Sequence, residues 1–172
     1  MQAHVVYLAN SSGLKVGITR GSQVPTRWID QGATQALPVF EVKTRYHAGL
    51  IEVAMKDFVG DRTDWRRMLK GEPEVLDLIA ERTRLLEAAR TSLSAEGIPS
   101  SAQGVRLLDS ACPVHFSYPV LTYPDKVRAH NFDKKAQVEG TLLGIKGQYL
   151  ILDNGVLNVR KFAGYEICLT RG

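Results

Sequence analysis

The sequence predicts an α/β fold of the α+β kind: a small antiparallel sheet with helices, then a helical segment, then a small β-rich, barrel-like domain. Three observations carry this reading. Two β-prone runs near the start flank a turn sequence. Apolar residues then recur at helical spacing between residues 48 and 93. Beyond residue 112, short β-prone runs are separated by tight turns.

The first pair of strands is Val5–Ala9 and Leu14–Thr19, joined by Asn10-Ser11-Ser12-Gly13. Pro25 suits the first turn of a helix and Gly32 suits its stop, so Arg27 and Trp28 lie on a short helix. Val39–Thr44 alternates β-branched or aromatic residues with charged ones and reads as a third strand. Ala48–Val59 reads as a helix whose Ile51, Ala54, Met55 and Phe58 face that sheet, with Glu52 at the edge of the apolar stripe.

Thr63 or Asp64 can cap a helix over Trp65–Lys70 that Gly71 stops. Pro73 opens the longest helical pattern, running to about Leu93, with Leu76, Ile79, Leu86 and Leu93 on one face. Gly97-Ile98-Pro99-Ser100-Ser101 is a linker. Cys112–Tyr123 is extended. Val138–Ile145, Gln148–Leu152, Val156–Arg160 and Glu166–Thr170 read as four short strands, with a hairpin turn at Asp153-Asn154-Gly155. The expected domains are therefore residues 1–62, 63–101 and 102–172.

Charge is distributed unevenly. Residues 1–71 carry +4, residues 72–101 carry −3, and residues 102–172 carry +3. Two basic segments flanking an acidic one fit phosphate contact at both ends. No apolar run is long enough to span a bilayer, and Gln2, Ala3 and His4 lead straight into a strand without a signal-peptide layout. Cys112 and Cys168 are far apart and unmotivated as a pair, so a reducing, cytoplasmic setting is expected. Cys112 and His115 form a C-x-x-H pair with no second pair nearby, which does not make a zinc site.

A hairpin carrying Tyr7 and Lys15, a helix carrying Arg27 and a second helix carrying Glu52 form a constellation suited to cutting phosphodiesters. Its order resembles the GIY-YIG nuclease superfamily over roughly residues 4 to 60. Tyr7 matches the Tyr that ends the first tripeptide, and Lys15-Val16-Gly17 matches the second. Arg27 matches the helix Arg and Glu52 the metal-binding Glu. Val5 stands at the first Gly position and Lys15 at the second Tyr position. The run from Lys15 to Arg20, followed by Arg27 to Thr34, is similar to an uncharacterised bacterial subgroup, of the domain of unknown function 2797 type. Members of that subgroup often carry a cysteine-rich segment upstream of where this chain starts.

The resemblance implies a metal-dependent endonuclease acting on DNA ahead of RNA. Glu52 would hold Mg²⁺ or Mn²⁺, which usually binds through one or two protein oxygens and keeps several waters. Tyr7 would orient or deprotonate the attacking water, with Lys15 lowering its pKa or relaying the proton. Arg27 would hold a phosphate oxygen through its planar fork. Arg20 and Gln31 are further candidate contacts to the nucleic acid. Arg66 and Arg67, in a basic cluster with Arg62, Trp65 and Lys70, would meet phosphate while Trp65 stacks on a base or anchors its helix.

Two alternatives stand beside this reading. One is a non-catalytic nucleic-acid-binding module on the same fold, motivated by Val5 and Lys15. The other is an interaction subunit that meets a protein partner or a second copy through the Glu72–Leu93 helix.

Overall fold

The computed structural model describes residues 2–60, 64–99 and 104–170. It is a mixed α+β fold with two antiparallel sheets. The first sheet begins with the expected hairpin, β1 (His4–Asn10) against β2 (Leu14–Arg20), in a register that sets Tyr7 opposite Gly17 and Ala9 opposite Lys15. β3 (Gln35–Val42) pairs with the other side of β1. The strand begins four residues before the expected Val39. Pro38 hides it in the sequence, because Pro donates nothing to a ladder. Here Pro38 lies opposite Tyr7, beside a register shift between Val6 and Tyr7 that accommodates the missing donor.

β4 (Val105–Leu107) and β5 (Val114–His115) both pair with β3, completing a sheet in which β2 is an edge. Residues from beyond the expected 101/102 boundary thus extend the first sheet. That boundary, like the one at 62/63, lies outside the described residues.

Alternation along β1 sorts its side chains onto two faces. Val6 and Leu8 join Leu37, Val39 and Phe40 in the larger core, under α2 (Arg45–Lys56), α4 (Leu78–Ala88) and α5 (Arg90–Ala95). Val5, Tyr7 and Ala9 turn the other way, onto Trp28, Ala33 and Ala36, beneath α1 (Thr26–Asp30). Thr44, expected at the end of a strand, instead caps α2, its hydroxyl accepting from the His47 N–H at 3.2 Å. The helix therefore starts three residues before Ala48. It also ends before Phe58, which is exposed rather than turned to the sheet.

The long expected helix is shorter and divided. Its first residues, 73–77, are drawn out by buried amides at the sheet: Asn10 donates to the Glu74 carbonyl at 2.8 Å, and Gln35 both donates to the Leu76 carbonyl and accepts from its N–H. Asp77 then caps α4 by accepting from the Ile79 and Ala80 N–H groups. Leu78, Leu85 and Leu93 are buried in the larger core and Leu76 and Leu86 pack against it, so most of this apolar face is covered within the chain, whereas Ile79, expected on the same face, is exposed.

The second sheet is open and three-stranded: β6 (Leu142–Lys146), β7 (Tyr149–Leu152) and β8 (Gly155–Asn158). It is not a barrel. The expected strand residues 138–141 lie outside the ladder because the β7–β8 turn claims their backbone. Asp153 accepts from the Thr141 N–H and Asn154 donates to the Glu139 carbonyl. Glu166–Thr170 is not a strand either. Its alternation has no partner among the described residues, leaving Leu169 92% exposed.

This second unit buttresses α1. A five-residue helix is too short to hold itself. Tyr118 donates to the Ala33 carbonyl at 2.8 Å, Arg160 pairs with Asp30 at 3.0 Å, and Gly147 lies against Asp30 and Gly32 so closely that a Cβ would sit 2.9 Å from their backbone. α3 (Trp65–Met68) adds Met68, packed against Gly32.

Candidate functional site

At the β2 edge, four elements contribute to one cavity of about 320 Å³. β1 supplies Tyr7, β2 supplies Lys15, α1 supplies Arg27 with Gln31 just after it, and α2 supplies Arg45, Glu52 and Lys56. The four expected catalytic residues and Gln31 therefore line a single cleft.

Tyr7 is fully buried, its ring 5.7 Å from that of Trp28. Its hydroxyl meets the Gln31 amide, 3.2 Å from Oε1 and 3.0 Å from Nε2. Opposite it, Gly17 leaves room for the ring: a Cβ there would sit 2.8 Å from both Cζ and the hydroxyl oxygen of Tyr7. The glycine is required by this close approach. Gly17→Ala should destabilise the protein by about 1–3 kcal/mol, as overpacking does, and part Tyr7 from Gln31. Denaturant unfolding checks it; an unchanged midpoint would mean that the ring moves aside freely.

Burial raises the Tyr7 pKa above the ordinary phenol value. The Gln31 hydrogen bond and the Arg27 charge oppose the rise, and Glu52 adds to it. The sequence expects Lys15 to lower this value or to relay the proton; burial of the hydroxyl outweighs the Gln31 hydrogen bond and the Arg27 charge that lower it. Lys15 itself moves instead. Burial, helped by the Arg27 charge, lowers its ammonium to about 8. Near neutral pH the cleft thus holds a protonated phenol and an amine that gives up its proton readily.

Among the described residues, Glu52 is the one carboxylate lining the cleft, beside Lys15, Arg27, Arg45 and Lys56. Lys56, one turn on, lies 3.5 Å from it. Among the described residues, no three His, Cys, Asp or Glu side chains gather into a metal-binding group. A cation here would have one protein carboxylate, which fits Mg²⁺ or Mn²⁺ completed by water and substrate oxygens and fits poorly an ion needing several side-chain ligands.

Arg45 and Lys56 were missed by the sequence reading. Residues 45, 52 and 56 follow the spacing of one helix face, so Glu52 points to both. Starting the helix at Ala48 left Arg45 outside it. Arg20 lines a separate cavity. Arg66 and Arg67 line neither. The Arg66 guanidinium lies 4.3 Å from the Trp65 ring centre, and Trp65 stacks parallel to Tyr149 at 5.5 Å, anchoring α3 to the second sheet. Arg62 lies outside the described residues. No helix among the described residues is long and apolar enough to cross a membrane.

A family model described as a protein of unknown function (DUF2797) matches residues 1–167. No curated protein and no solved structure matches the chain.

Proposed function

We propose that this chain, which belongs to the DUF2797 family, is a metal-dependent endonuclease hydrolysing phosphodiester bonds in nucleic acid, DNA ahead of RNA, through a site similar to that of the GIY-YIG nucleases. The observation that carries the reading is the composition of one cleft: a buried phenol, an amine with its pKa near 8, one carboxylate and three further cations, brought from four separate elements. An excess of cations around a single carboxylate suits a phosphodiester better than a neutral substrate.

Arg27 and Arg45 would hold non-bridging oxygens of the scissile phosphate. Water attacks phosphorus, its proton passes to neutral Lys15, and the P–O bond to the leaving group breaks. Tyr7, still protonated and steadied by Gln31, would orient the water. A divalent ion held by Glu52 would neutralise charge on the phosphate and leaving oxygen.

The Lys56 contact to Glu52 supports a second reading, a nucleic-acid-binding module without turnover, because the ammonium competes for the metal's oxygens. Incubation with supercoiled DNA, single-stranded DNA and RNA, with and without Mg²⁺ or Mn²⁺, separates the two. Metal-dependent nicking is expected. Salt-sensitive binding with no cleavage under any metal would select the binding module.

A further inference from the structure

The sheet end beyond the cleft carries a second cavity, of about 740 Å³. Register places it. His4 lies opposite Arg20 on one side and Val42 on the other, so the start of β1, the end of β2 and the passage from β3 into α2 meet there. The cavity is lined by Arg20, Lys43 and Arg45, with Gln2, His4, Thr19 and Thr44; among the described residues no carboxylate lines it.

One of these cations, Lys43, is held against the neighbouring backbone. The Lys43 stem lies on Gly104, where a Cβ would come within 2.5 Å of Lys43 Cδ, and the Lys43 N–H donates to the Gly104 carbonyl at 3.0 Å. Among the described residues, no carboxylate pairs with Arg20, Lys43 or Arg45. Like charges gathered around a concavity repel one another unless an anion lies between them. Arg45 also lines the cleft, so the two cavities adjoin at that side chain. From Tyr7 back to His4 is three residues of strand, about 10 Å of backbone at the usual rise.

We infer that this groove carries the sugar–phosphate backbone of a nucleic-acid strand on from the cleft, holding the phosphate that neighbours the one at Tyr7 and Glu52. The inference rests on the proposed phosphodiester chemistry and adds a length requirement. A substrate with a single phosphodiester would fill the cleft alone, whereas a longer strand would also meet Arg20 and Lys43.

The test is fluorescence anisotropy with labelled single-stranded DNA, from a dinucleotide to a longer oligonucleotide, across a salt series. The wild type is compared with Arg20→Gln/Lys43→Gln and with a charge-matched control, Lys134→Gln/Lys135→Gln, whose exposed residues line neither cavity. Wild-type affinity should rise with length. The groove variant should lose most of that gain, and its slope of log affinity against log salt should fall by about 1.4, near 0.7 per lost contact on a single strand. The control should keep both. A groove variant with the wild-type slope and length dependence, or a control that loses as much, overturns the inference even if the wild type cuts DNA. Binding without cutting removes the endonuclease reading and leaves the groove to be judged by the slopes. A wild type that binds no oligonucleotide overturns both.

Discussion

Glu52→Gln is expected to abolish metal-dependent cleavage while leaving the protein folded. Among the described residues, Glu52 is the one carboxylate lining the cleft, and no other His, Cys, Asp or Glu joins that lining to replace it. The amide keeps the volume and removes the charge. Losing electrostatic stabilisation of a developing oxyanion costs on the order of 10²- to 10³-fold in rate, and with a single protein ligand the loss should lie at the upper end. Thermal stability should change little, because the side chain sits at the edge of α2 and its contact to Lys56 is a partly exposed i,i+4 pair. Lys56→Met gives the opposite sign on one quantity. With the competing ammonium gone, half-maximal cutting should need less Mn²⁺. Equal nicking by wild type and Glu52→Gln across a metal titration, with contaminating nuclease excluded, would remove Glu52 from the chemistry.

The parts of this site that were legible in the sequence are those fixed by local rules. The hairpin's turn residues and its alternation put Tyr7 and Lys15 on one face. The 3.6-residue period put Glu52 at the border of the buried stripe. What stayed hidden was set by partners distant in the chain. Residues 73–77 look helical by spacing, and it is Asn10 and Gln35, about 40 to 60 residues earlier, that pull them straight. Glu166–Thr170 alternates like a strand, but alternation does not supply a neighbour. The charge count found basic ends without showing that Arg20, Lys43 and Arg45 meet at one end of a sheet. Nor did it show that Trp65 already stacks on Tyr149, away from the cleft.

In the proposed reaction, burial decides which group takes the proton, and the consequence is a pH profile. Lys15 faces Tyr7 from β1, Arg27 from α1, and Arg45, Glu52 and Lys56 from α2, all on the same cleft. Its pKa is lowered to about 8, by burial first and by Arg27 second. As a base it works when neutral, so the rate should rise with pH through about 8 and level off above it. Tyr7 contributes no limb there, because burial holds its phenol above the ordinary value and it stays protonated throughout. Lys15→Met should therefore lower the rate and erase the limb. Tyr7→Phe should lower the rate and keep it. If the two residues handle one proton together, the double variant should lose less than the two single losses combined, since groups acting as a unit are not additive. Rates measured from about pH 6.5 to about 9.5 on all four proteins decide this. A limb that survives in Lys15→Met assigns the titration to another group. Losses that simply add in free energy show that the phenol and the amine act separately. Should neither substitution change the rate, the hairpin is a scaffold, and the chemistry must be sought among Arg27, Arg45 and Glu52 alone.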